Sequence, residues 1–174
     1  MTESKPRLVV VNGDVCSGSS TIARTLSNQL GYELFDVGQE FRKEIREAPE
    51  RDVHELSVAL NGLVVELITT GKDTIIEGRL VGLQARGFSD ILKLLCVAPD
   101  DTVIKRYMAR ENLDSVEEAQ YALQERFARD EHMLSGIWGV DRSDIFSPIL
   151  YDKLLDTSLG KPEELIVPLK DEIF

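Results

Sequence analysis

Cysteine is nearly absent. Cys16 and Cys96 are the only two in 174 residues, too few for a disulfide framework, and neither belongs to a CxxC or Cys/His spacing that would suggest zinc. A reducing compartment is expected. Histidine is as scarce: His54 and His132 stand alone on helical segments and read as solvated side chains. Cations are outnumbered, 20 Lys plus Arg against 31 Asp plus Glu for a net charge of −11. That argues against a general nucleic-acid or anionic-membrane surface, because either needs a cationic face. Any phosphate must therefore meet a local cluster of cations. No apolar run is long enough to cross a bilayer, and the start, MTESKPR, lacks the charged-then-apolar pattern of a leader. A cytoplasmic protein is expected. Repeats, low-complexity stretches and dividing linkers are missing too, and the length suits one domain, residues 1–174, with a full core.

What the chain has is an alternation of two periods. Leu8 to Val11 is a short β-branched run ending at Asn12 and Gly13, which suits a strand buried on both faces. Ile22, Leu26 and Leu30 then recur at helical spacing before Gly31. YELFD at 32–36 reads as a second strand and GQEFRKEIRE at 38–47 as a helix ending near Pro49. Val53, Leu56, Leu60, Leu63 and Leu67 place one amphipathic helix over roughly 52–70, closed by Gly71. TIIEG at 74–78 and ILKLLCVA at 91–98 are further buried-strand candidates. Charged helices around 101–111 and 116–134 follow, then KLLD at 153–156 as a last strand. Pro162 sits where a final helix would open, and Pro168 would interrupt it. Strands alternating with helices predict a parallel sheet covered on both faces, with ligands at the carboxyl ends of its strands. The chemistry is therefore expected just after Val11, Asp36, Ile76 and Val97.

The first of those strand ends carries GDVCSGSST, residues 13–21. Gly13 and Gly18 are five apart between a strand and a helix, the frame of the GxxxxGK[ST] phosphate loop. Glycines let backbone N–H groups turn inward on a phosphate, and the new helix adds its positive end. Ser20 holds the position whose hydroxyl ligates Mg²⁺ in such loops, whereas the lysine position holds Ser19.

The segments downstream extend the pattern. GQEFRKE, IIEGR, APDDTVIKRYMARE, SVEEAQYALQERFARDE and IWGVDRSDIFSPILYDKLLDTS resemble, in that order, the cytidylate kinases of the nucleoside-monophosphate kinase superfamily, especially the short archaeal-type enzymes. The resemblance covers nearly the whole chain. It implies a P-loop NTPase-type three-layer α/β fold with a five-stranded parallel sheet. The core would comprise 7–36, 73–112 and 150–174, the helical region that binds the nucleoside monophosphate about 38–71, and a short lid about 113–145. It further implies transfer of the γ-phosphoryl group of ATP to CMP or dCMP with Mg²⁺. On this basis Gly13, Cys16, Ser17, Gly18, Ser19, Ser20 and Thr21 cradle the donor phosphates, and Ser20 holds Mg²⁺. Arg42 and Arg79 hold the acceptor phosphate, Arg106 and Arg110 lie at the donor side, and Arg126 and Arg129 close from the lid.

Charge arithmetic agrees with that assignment. Phosphoryl transfer needs two anions brought in line and neutralised, and an acceptor that is already a phosphate needs no strong base. Arg106 and Arg110 are four apart and Arg126 and Arg129 three apart, so each pair is expected to converge from one helix face. The rival reading pairs these arginines with nearby Glu111, Glu125 and Asp130. Glu77 at the third strand end either supports Mg²⁺ through water or is satisfied by backbone. Cys16 is either an oxidisable thiol beside a helix N-terminus or a reduced structural one. Trp138 and Tyr151 read as core or hinge aromatics.

Several positions depart from the family pattern. Ser19 replaces the lysine that bridges donor oxygens, and losing one preorganised donor to developing charge typically costs roughly 3 to 4 kcal/mol. Val37 and Gln39 stand near the acceptor in place of a small hydroxyl residue and an acid. Gln124, Met133 and Leu134 occupy the lid helix where arginine or polar residues are usual, and the acidic residues expected beside the base are absent around Ser57 and Asn61. Three functions follow: a slow or rewired nucleoside-monophosphate kinase, a nucleotide-binding pseudokinase acting as a sensor, or a small-molecule kinase with another acceptor. The retained set Arg42, Arg79, Arg110 and Arg126 favours an enzyme, since a protein freed from catalysis has no need of all four.

Overall fold

The computed structural model describes residues 6–169. Most of the polar start and the last five residues of the expected final core segment lie outside the described residues. Five strands, β1 (Leu8–Gly13), β2 (Glu33–Asp36), β3 (Thr74–Glu77), β4 (Ile91–Val97) and β5 (Lys153–Asp156), form one parallel sheet in the order β2-β3-β1-β4-β5. The expected α/β class and strand positions hold, for a plain reason. All six residues of β1 are buried, and alternate side chains leave a strand on opposite faces. Val9 and Val11 pack with Ile22, Leu26 and Ile166 on one face, while Leu8 and Val10 pack with Val64, Ile68 and Val81 on the other. The edge strands β2 and β5 are four residues each and partly exposed, as edges should be.

The helices are α1 (Ser19–Leu30), α2 (Val37–Glu47), α3 (Val53–Thr70), α4 (Val81–Gln84), α5 (Asp100–Glu111), α6 (Val116–Trp138), α7 (Arg142–Ile145) and α8 (Pro162–Leu165), with a 3₁₀ turn at Pro148–Leu150. Local chemistry sets their limits. Gly31 closes α1 at φ 68, where its N–H reaches Ser27 O. The carboxylates of Asp36 and Asp52 cap α2 and α3 by accepting from Gln39 N and Glu55 N. Pro162 opens α8 at its first turn.

Three expectations need correction. The buried stripe of α3 is Leu56, Leu60, Val64 and Ile68, whereas Val53 and Leu63 are each 47% exposed. Apolar residues surround this helix, so several stripes satisfy the period and packing against the sheet selects one. For the same reason α3 is, by length and composition, one helix apolar enough to cross a membrane. It nevertheless contains Glu55 and Glu66 and docks four side chains in the core. Second, α6 runs to Trp138 rather than 134, with Gly139 (φ 64) as its left-handed stop. Third, α4 and α7 were not expected, because a four-residue helix is too short to show a period.

Candidate active site

β1 delivers the chain into the 13–18 loop, where Cys16 (φ 59) and Gly18 (φ 89) both take left-handed backbone. Such residues set among right-handed ones turn successive N–H groups toward one point and make a nest for anions. A side chain on Gly13 would collide with the Ser17 hydroxyl and come within 2.8 Å of Ser19 Cβ, so glycine is required at the base of the turn. α1 starts directly behind, with no side chain capping it, and adds the positive end of its dipole.

The loop is held from three sides. Buried Thr157, just past β5, donates its hydroxyl to Ser17 O at 2.6 Å and accepts from Arg106 NH1 at 2.8 Å. Arg106 also donates to Cys16 O (3.1 Å) and Thr157 O (2.8 Å). Arg142 pairs with Asp14 while its guanidinium lies over the Phe127 ring, 4.0 Å from the centroid. Beneath the loop, the fully buried Asn12 accepts from Gly13 N, donates to Arg79 O at 2.8 Å and bonds the Tyr151 hydroxyl. That hydroxyl donates to Ile145 O at 2.5 Å, and burial pushes the phenol up to about 12. A side chain on Gly82 would overlap the Tyr151 ring. Tyr151 is therefore a buried link between β1, the segment after β3 and α7.

Beside the nest stand two carboxylates, on neighbouring strands in register, Asp36 against Glu77. Both are buried. Ser19 Oγ donates to Glu77 Oε1 at 2.7 Å, so the hydroxyl at the lysine position is engaged by the third strand end. Burial raises Glu77 from 4.5 to about 7. Hydrogen bonds from Ser19 and Ser20 pull against that rise, and Asp36 adds to it by repulsion.

The arginines divide in ways that spacing does not reveal. Arg79 NH2 meets Asp130 Oδ2 at 2.8 Å, and Arg126 Nε approaches the same oxygen at 3.8 Å. One carboxylate on α6 thus holds two cations, one from the β3 exit and one from its own helix. Arg42 folds back beside Asp36 over Gly38, where a side chain would sit 3.1 Å from Arg42 NH1. Arg110 pairs with the exposed Glu111 at 2.8 Å and lies 5.0 Å from the Tyr107 centroid. Of the two expected convergent pairs, Arg106 and Arg110 both line the main cavity, whereas Arg126 does so without Arg129. Arg106 is occupied as a loop clamp, and Arg129 is exposed and absent from the cavity wall, because a step of three at this point of α6 carries it off the inward face. Ser17 is also displaced: its side chain lines a smaller cavity of about 650 Å³ behind the loop, where Gln124 lies too.

One cavity of about 1160 Å³ gathers the rest: Gly13, Cys16, Gly18, Ser19, Ser20 and Thr21; Glu77 with Asp36; and Arg42, Arg79, Arg106, Arg110 and Arg126. Val37, Met133, Leu134 and Trp138 contribute apolar wall, and Ser57, Asn61 and Gln84 a neutral polar one. Gln39 instead gives its backbone N–H to the Asp36 cap. Burial outweighs the nearby Arg110 and Arg126 and pushes the Cys16 thiol up, which favours the reduced structural reading. Sequence reasoning named Asp130 and Glu111 as rival partners of the arginines, and both pair so here; it assigned no site role to Thr157, Asn12 or Gln84. A signal for Thr157 existed, since it follows a strand end as the other site residues do.

No family model matches the chain. Proteins of known name do match. Cytidylate kinase from Methanopyrus kandleri is 32% identical over 95% of this chain and 92% of its own length, and that from Methanosarcina acetivorans 30% over 86% of each. The chain belongs to the cytidylate kinase family. Cytidylate kinase from Thermoplasma volcanium is a further relative at 26%, covering 95% of this chain and 90% of that one. Among solved structures, an uncharacterized protein from Eubacterium ventriosum superposes with TM-score 0.70 at 12% identity, covering 96% of this chain and 98% of that one. Shikimate kinase from Acinetobacter baumannii superposes with TM-score 0.60 at 17% identity, over 98% and 94%. These last two speak for the fold alone, the P-loop kinase architecture. Family membership makes the chain a nucleotide-binding P-loop kinase, a phosphoryl transferase.

Proposed function

We propose that the chain transfers the γ-phosphoryl group of ATP to CMP or dCMP with the help of Mg²⁺. The observation that supports this best is the single cavity that carries the backbone nest together with Arg42, Arg79, Arg110 and Arg126. Two phosphates that must meet require cations within one enclosure, and a chain of net charge −11 gathers these four around one cavity.

In this reading Cys16, Gly18, Ser19 and Ser20 present backbone N–H groups to the donor's phosphates, while the N–H groups of Gly13, Ser17 and Thr21 are spent on Asn12 Oδ1, Asp14 O and Gly18 O and hold the turn in shape. Arg106 and Thr157 hold that loop in shape and leave the anions to others. Arg42 and Arg79 take the acceptor phosphate through guanidinium forks. Arg110 and Arg126 neutralise the group in transit, taking up electrostatic work that a lysine at position 19 would otherwise share. α2 and α3 form the acceptor-binding region and α6 the lid, whose Asp130 occupies Arg79 and Arg126 until an acceptor phosphate takes its place.

The residues also suit the metal. Mg²⁺ prefers hard oxygen, retains several waters and is usually held by one or two protein groups plus substrate phosphates. Ser20, Glu77 and Asp36 offer only oxygen, and among the described residues no group of three or more ligating side chains could hold an ion by itself. Burial, with repulsion from Asp36 added, raises Glu77, and a cation beside it would favour the ionised form. Ser20, with Glu77, would hold Mg²⁺ there, and the ion would supply neutralisation of charge on the transferring phosphates.

The test is ADP formation with ATP, Mg²⁺ and CMP or dCMP. Turnover is expected, and Arg42→Met or Arg79→Met is expected to lower kcat/KM by about 10- to 100-fold, as for loss of a charge-assisted phosphate contact. Normal ATP binding by calorimetry without ADP from any acceptor would transfer the protein to the sensor reading.

A further inference from the structure

The neutral polar wall of the cavity is built from two amides that bond each other. Gln84, on α4 just after Arg79, donates its Nε2 to Asn61 Oδ1 on α3. Ser57, one turn before Asn61, spends its proton on Val53 O at 2.8 Å and can only accept. All three line the cavity, whereas Glu55 and Glu66 of the same helix do not. On the reading that α3 and the β3 exit bind the acceptor, this wall faces the acceptor's base.

The mutual bond leaves Gln84 Oε1 and Asn61 Nδ2 wholly unused within the pair, an acceptor and a donor that a ligand can meet. Turning both amides over preserves a bond between them, now from Asn61 Nδ2 to Gln84 Oε1. It then offers Asn61 Oδ1 as acceptor and Gln84 Nε2 as donor. At ring positions 4 and 3, cytosine presents a donor amino group and an acceptor nitrogen, and uracil an acceptor oxygen and a donor N–H. The two bases are inverses there, as are the two states of the amide pair. A carboxylate in either place would accept only and so demand the amino group.

We propose that the chain accepts UMP as well as CMP, because the Asn61–Gln84 pair inverts as a unit to match either pyrimidine. The proposal rests on the kinase reading above. Rejection of a base by hydrogen bonding depends on stranding a buried polar group, and a pair that inverts strands none.

The experiment measures kcat/KM for CMP and for UMP with ATP and Mg²⁺, and the dissociation constant of each by calorimetry, in wild type, Asn61→Asp and Gln84→Glu. Wild type should use and bind the two within about tenfold of each other, and each variant should shift the ratio toward CMP by tenfold or more. ADP from CMP with UMP more than tenfold poorer would overturn this inference and leave the kinase reading standing. Equal binding of both with ADP from neither would overturn the kinase reading and leave the base reading intact. A folded variant of either kind whose CMP-to-UMP ratio matches wild type would show that the pair does not read the base.

Discussion

Glu77 joins the serines of the loop to the strand-end carboxylates, and its proton responds to both. Burial and Asp36 raise it from 4.5 to about 7 against the pull of Ser19 and Ser20. A carboxyl that binds its proton more tightly folded than unfolded adds stability that is complete below about 4.5 and is lost as pH rises through about 7. Glu77→Gln should therefore melt with wild type near pH 4.5 and above it at pH 8. Coincident melting curves at pH 8 would mean that another group already neutralises the carboxylate. Mg²⁺ with ATP should act the other way, since a cation favours the ionised form, and the Glu77 midpoint followed by NMR should fall when both are added. None of this could be read from the residue alone. IIEG announced a buried strand end, but whether Glu77 would meet backbone, metal or a serine depended on which strand lay beside it.

At the scale of elements, the ion triad ties α6 to the exit of β3. Asp130→Asn would release Arg79 and Arg126 together. Partly exposed pairs are worth about 0.2 to 1 kcal/mol, so the acceptor KM should fall by up to about fivefold with kcat little changed; a raised KM would mean that Asp130 positions the arginines instead of competing for them. On the other flank, Thr157→Val removes the hydroxyl's two clamp bonds, to Ser17 O and from Arg106. Arg106 keeps its bond to Cys16 O, so the loss falls on the Ser17 carbonyl, which should cost about 1 to 3 kcal/mol of stability and weaken ATP binding, read by calorimetry. The elements themselves were largely legible, for reasons of period and punctuation. Short apolar runs, β-branched in β1 and β3, mark the strands, and Gly31 and Gly71 end helices whose apolar steps had already placed them. What escaped were contacts made by residues distant in sequence: Thr157 with Ser17, Asp130 with Arg79, Gln84 with Asn61. Arg129 shows the converse, because spacing on a helix says which residues share a face but not which way that face is turned.

For the whole molecule, the parallel order β2-β3-β1-β4-β5 puts the loop after β1 at the middle of the sheet's carboxyl edge, with the β3 and β4 exits on either side. Ligand binding at that seam should stabilise the entire domain. Mg²⁺-ATP at a hundred times its dissociation constant adds about 2.7 kcal/mol, which corresponds to a rise in Tm of roughly 5 to 10 °C at this size. A Tm unmoved by saturating Mg²⁺-ATP would count against the donor site. The clamp from Thr157 to the loop also has a consequence for biosynthesis. The hydroxyl that fixes the shape of the glycine turn is translated some 140 positions after it. A chain released before Thr157 emerges lacks that bond, so the turn is left without its hold from the fifth strand.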